Sequence, residues 1–107
     1  MIYYRVAFEV QDSLMINPAG SDLNSRFKEI HKKLDDLDLK WIQDYYWPGS
    51  GYHCIVQVQE KEDLEVLKKR GLDAFKFTRL KTTQKLLGKR TVRRVFEQKY
   101  PVLEKQA

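Results

Sequence analysis

The chain has 107 residues, 20 Lys and Arg against 15 Asp and Glu, and a formal net charge of +5. Hydrophobic residues make up 42% and aromatics 12%, enough for a core and too much for a disordered chain. That length suits one compact domain, no apolar run is long enough to span a bilayer, and a single cysteine, Cys54, excludes an internal disulfide and favours a reducing, cytoplasmic setting.

The opening MIYYRVAFEV lacks a basic stretch followed by a long apolar one, so no signal peptide is expected. Its apolar residues alternate instead. This predicts a strand over Ile2–Val10 with Tyr4, Val6, Phe8 and Val10 inward. Asn17-Pro18-Ala19-Gly20 marks a loop, and Ser21 or Asp22 can cap a helix there. Leu23, Phe27, Ile30, Leu34 and Leu37 recur at helical spacing and predict that helix over 22–37. A second strand, aromatic-rich, is expected over Leu39–Trp47, and a third over Tyr52–Gln59 with Tyr52, Cys54, Val56 and Val58 inward. The turn Pro48-Gly49-Ser50-Gly51 makes the pair a hairpin. Glu62, Asp63 and Glu65 open a second helix that ends at Gly71, with Leu64 and Leu67 on its apolar side. Phe75–Thr82 reads as a fourth strand with Phe75 and Phe77 inward. Val92, Val95 and Phe96 define a last helix over Thr91–Tyr100, which Pro101 stops.

This order predicts an α+β fold: a ferredoxin-like βαββαβ domain with a four-stranded antiparallel sheet. Two helices would cover one sheet face and leave the other open. The domain would span 1–82, with 83–107 as a basic C-terminal helical extension packed on it.

Chemistry for catalysis is not visible. His31 reads as a helix-surface residue and His53 as a strand residue, neither with metal-ligand spacing. Asp35, Asp36 and Asp38 read as a solvated turn. WPGSGY lacks the lysine and helix that a phosphate-cradling loop needs. Neither an enzyme nor any cofactor or metal is expected.

Charge is the stronger signal. Residues 1–67 carry 7 basic and 12 acidic side chains, a net of −5, whereas residues 68–107 carry 13 and 3, a net of +10. Lys81, Lys85, Lys89, Arg90, Arg93, Arg94 and Lys99 are the candidate phosphate contacts. Thr82, Thr83, Gln84 and Thr91 could add hydrogen bonds.

The topology, and the stretch SGYHCIVQVQEKEDLEVLKK, resemble the RNA-recognition motif. Gly51, Tyr52 and Ile55 match its third-strand signature, and Ile2-Tyr3 resembles the start of its first-strand signature. The resemblance implies bases stacked on outward-facing aromatics. Here alternation turns Tyr52 inward, and the outer positions Tyr3, Arg5, His53, Gln57 and Lys76 are a polar mixture. These five are therefore secondary sheet-face contacts to a DNA- or RNA-binding basic segment. The alternative is a non-enzymatic interaction or regulatory domain, a homodimer or part of a larger complex, joined through the open sheet face. Trp41, Tyr45 and Trp47 alternate along the second strand and would serve that interface, with Tyr46 on the other side. A third reading, a small dimeric barrel enzyme or ligand sensor, would use Tyr45, Trp47 and His53 as pocket walls.

Overall fold

Alternation at the start of the chain produces β1, Ile2–Phe8. Then come α1, Ser21–Asp36, β2, Lys40–Trp47, and β3, Gly51–Val58. A 3₁₀ helix over Lys61–Lys68, β4 over Ala74–Leu80 and α2 over Val92–Lys99 complete the order. The structure is a computed structural model describing residues 1–10, 21–86, 88 and 90–101. The loop expected over 17–20, the capping side chains of Ser21 and Asp22, and Lys89 lie outside the described residues.

All strand pairs are antiparallel, in the order β2-β3-β1-β4. The fold is α+β, with an open four-stranded sheet. Its first face carries the main core. Tyr4, Val6 and Phe8 of β1 and Tyr52, Cys54, Val56 and Val58 of β3 meet Ile30 and Leu34 of α1 and Leu64 and Leu67 of the 3₁₀ helix. Fully enclosing each large apolar side chain stabilises the fold by about 1.5–3 kcal/mol. Leu37, expected inward, is exposed. α1 ends one residue earlier, and Asp38 takes a left-handed φ of 60° as the chain turns into β2.

The second helix is 3₁₀ rather than α. Leu64 and Leu67 are three residues apart, and a repeat of three per turn stacks them on one line toward the core. Glu60 and Asp63 form a reciprocal capping box at its start.

The opposite face is not open, as the strand pattern alone suggested. α2 crosses it, and Val92 and Phe96 bury themselves against Tyr3, Ile42, Ile55 and Leu80. Those sheet residues form an apolar strip that would otherwise meet water, and α2 has a matching apolar side. Phe96 meets the Tyr3 ring edge-to-face at 4.8 Å. Beyond the helix, the Tyr100 hydroxyl donates to the Trp41 carbonyl at 2.9 Å and accepts from the Trp41 N–H at 3.0 Å. Among the described residues no helix is long and apolar enough to cross a membrane.

Candidate nucleic-acid interface

α2 covers only part of its face. The end beyond α2 lies around Ala7, itself buried, which pairs with the buried His53 on one side and the exposed Lys76 on the other. A bulge flanks this row on each edge strand. In β2, Gln43 faces Cys54 and Tyr46 faces Tyr52, so Asp44 and Tyr45 together oppose His53. In β4, Ala7 faces Lys76 and Phe8 faces Ala74, which leaves Phe75 as the extra residue.

The β2 bulge redistributes the aromatics. Trp41 and Tyr46 face α1, where Trp41 stacks on His31 at 4.2 Å and Tyr46 lies 5.6 Å from Phe27. Tyr45 turns to the other face and lies flat on His53, with centroids 4.1 Å apart. Trp47, two residues on, shares the side of Tyr45 and is 66% exposed. The expected alternation of Trp41, Tyr45 and Trp47 on one side is therefore broken. Phe75, expected inward, is 56% exposed because its bulge lifts it out of register, while Phe77 still packs on the core.

Polar groups complete this end of the sheet. Arg5 pairs with Asp44 at 2.6 Å and lies 5.8 Å from the Tyr45 ring centre. Arg5, Asp44 and Tyr45, with Lys85 and Leu86 from the segment before α2, line an open depression of about 460 Å³.

The five sheet-face candidates separate here. Lys76 is exposed, and Arg5 is half-buried in its ion pair. Tyr3 lies under α2 with its hydroxyl accepting from Gln57 Nε2 at 2.8 Å. His53 is buried, its Nδ1 3.2 Å from the Tyr45 carbonyl and its Nε2 3.4 Å from Ser50 Oγ. Tyr3, Gln57 and His53 are thus enclosed or engaged, and cannot act as an open contact surface.

The basic candidates divide too. The segment from Lys81 to Thr91 folds back on itself: Leu86 N–H donates to the Arg90 carbonyl at 2.8 Å, and Lys85 bridges to Thr91. α2 is tied to the same segment, since Val92 and Arg93 N–H donate to the Gln84 and Thr82 carbonyls at 2.9 and 3.1 Å. Thr91 caps the helix by accepting from Arg94 N–H at 3.2 Å. Lys81, Lys85, Arg90 and Arg94 are thereby gathered about the N-terminal end of α2, all exposed. Arg90 bonds Gln98, and Arg93 pairs with Glu97 at 3.0 Å. Lys99 lies at the far end, donating to the Trp41 carbonyl at 2.8 Å and sitting 3.1 Å from the Trp41 ring centre. Its ammonium anchors α2 rather than facing a ligand.

Both imidazoles are held neutral. His31, expected on the helix surface, is half-buried, hydrogen-bonded to the Tyr52 hydroxyl and stacked on Trp41. Burial lowers its pKa, the Lys99 charge lowers it further, and Asp35 opposes weakly. Burial likewise lowers His53, against opposing effects from the Tyr45 carbonyl and Asp44. Burial raises the Tyr52 hydroxyl and pushes the Cys54 thiol up to about 12. An unfolded histidine takes its proton near about pH 6.5, so acid favours the unfolded chain over a fold that resists protonation. Stability is expected to be full above about pH 6.5 and to decline as pH falls through the lowered folded values. Urea titrations at about pH 7.5 and about pH 5 check this; His31→Gln should flatten the difference. Equal midpoints at both pH values for the parent chain would mean that its imidazoles titrate as in the unfolded state.

The paired bulges, and with them the turn of Trp41 to the α1 face, are the features missed by reading strands as uninterrupted alternation; Tyr45 and Trp47 share one side, as expected. The signal available was Asp44, a charge set within an aromatic strand, followed by three consecutive aromatics that no single face can hold. Comparison of the chain with protein-family models, curated proteins and solved structures finds no match.

Proposed function

We propose that the protein binds nucleic acid, without base readout, through the cations gathered around the N-terminal end of α2. The observation that carries this reading is a partition of ion pairs. Among the described residues four acidic side chains of the first two-thirds are in ion pairs, three of them with cations of that same region: Asp44 with Arg5, Glu29 with Arg26 and Lys33, Asp36 with Lys32, while Glu65 pairs with Lys68. Among the described residues Lys76, Arg79, Lys81, Lys85, Arg90 and Arg94 have no carboxylate partner. Among the described residues no ion pair neutralises their field, and a polyanion can displace the counterions around them with a gain in entropy.

The helix adds to this field. The first turn of α2 carries Arg93 and Arg94 and no acidic residue. Helix N-termini favour negative charge, so two arginines there oppose the local preference and raise the positive potential. A phosphate near Arg94 would relieve both. The scaffold reads as a ferredoxin-like arrangement whose second helix has shrunk to 3₁₀, in a cytoplasmic protein.

Fluorescence anisotropy with random duplex, single-stranded DNA and RNA, from low to physiological salt, tests the reading. The parent chain should bind each polyanion with steep salt dependence. Replacing Lys81, Lys85, Arg90 and Arg94 together with alanine should lower the log–log salt slope by about 3, since each phosphate contact contributes about 0.7–0.9. Identical binding by both proteins, or none at any salt, would sink the proposal.

A further inference from the structure

We propose that this surface takes single strands, and that Trp47 and Tyr45 supply the base-stacking platform; the inference rests on the nucleic-acid reading above. The central sheet positions that could hold bases are closed, because α2 covers Tyr3, Ile42 and Ile55. The uncovered end is different in kind. There the β2 bulge turns Tyr45 and Trp47 to the same side, and the exposed Lys76 shares that face from the opposite edge strand, β4.

Hydrophobic residues make up 42% of the chain, yet one of its two tryptophans stands mostly in water. The opposite side of the β2–β3 hairpin shows the usual alternative, where Tyr46 packs toward Phe27. Trp47 sits opposite Gly51, which has no side chain to cover the Trp47 ring. The Tyr45 ring is supported from beneath by His53, at an interplanar angle of 17°, and has Arg5 beside it. A flat, backed ring needs little ordering when a base settles on it. Lys85 shares the depression that Tyr45 lines, so it joins the aromatic end to the cations before α2.

Aromatic faces interleaved with cations suit single strands, whose bases are unstacked and available. Duplex bases are already paired and stacked, and offer these rings nothing. A stacked base contributes about 1–3 kcal/mol in such proteins, which sets the size of the effect.

The test uses the full chain with labelled oligo-dT of about 12 nucleotides and the matching duplex at one ionic strength. Oligo-dT should bind about tenfold or more tighter than duplex, and Trp47→Ala should lose about tenfold for oligo-dT alone. The salt slope should stay unchanged in Trp47→Ala, because no phosphate contact is removed. Trp47→Phe should restore most of the affinity while abolishing the fluorescence quenching that oligo-dT causes in the parent. Equal affinity for both polyanions, or a Trp47→Ala variant that binds oligo-dT like the parent, overturns the stacking proposal and leaves phosphate binding standing. Failure to bind any polyanion overturns both.

Discussion

Replacing Phe96 with alanine is expected to remove about 3–5 kcal/mol of folding stability, the range for a buried aromatic truncated in a core. Phe96 is the centre of the second hydrophobic cluster, set against Tyr3 on the sheet with Val92 a turn earlier. Among the described residues only α2 and its flanking Leu86 and Tyr100 pack on this strip, and neither flank is a large buried side chain that replaces Phe96. For a domain of this length, with total stability of about 5–15 kcal/mol, that is a large fraction. Urea unfolding should show a lower midpoint at unchanged slope while α2 still docks. Val95, only partly buried on the helix flank, should cost less when truncated. A Phe96→Ala protein within about 1 kcal/mol of the parent would be incompatible with α2 lying over the sheet. The same variant should weaken polyanion binding, because Arg94 and the Lys81–Thr91 segment are held by the seated helix.

Gly51→Ala should lose about 2–6 kcal/mol, by a different route. Gly51 has φ of 95°, where a non-glycine residue is strained by about 1–3 kcal/mol. A Cβ there would also stand 2.6 Å from the Phe8 carbonyl oxygen and 3.1 Å from the Phe75 ring. Phe75 can yield; the carbonyl belongs to the central strand and cannot move without breaking its ladder. Overpacking of this kind adds about 1–3 kcal/mol. Gly49→Ala separates the two causes, since Gly49 has φ of 79° but nothing within 4 Å of its added Cβ. It should lose only the dihedral part. Urea midpoints measured side by side decide the matter, and equal losses at Gly49 and Gly51 would rule out the carbonyl contact.

Elements with a clean period were legible from sequence. β1 and β3 alternate without interruption, and α1 shows its apolar stripe from Leu23 to Leu34. The end of α2 at Lys99 follows from Pro101. What escaped was anything set by tertiary competition. Val92 and Phe96 mark an inward side of α2, but not which surface receives it. Only the apolar strip of Tyr3, Ile42, Ile55 and Leu80, spread over four strands, specifies that. The bulges at Asp44–Tyr45 and at Phe75 each shift the facing of the residues beyond them. Period-two reasoning passes through such a shift without noticing it. Among the site residues, the positive charge of the last third was visible at once. Its division was not, because Lys99 turns to Trp41 and Arg93 to Glu97 only after α2 is seated.

The sealed position of Cys54 has a practical corollary. It is the chain's sole sulfhydryl, it has no exposed surface, and its ionisation is suppressed. Maleimides and oxidants attack the ionised sulfur, so the native protein should stay silent toward them. One cysteine added at the hairpin tip would then be the only attachment point for a dye or spin label, with no need to delete the original.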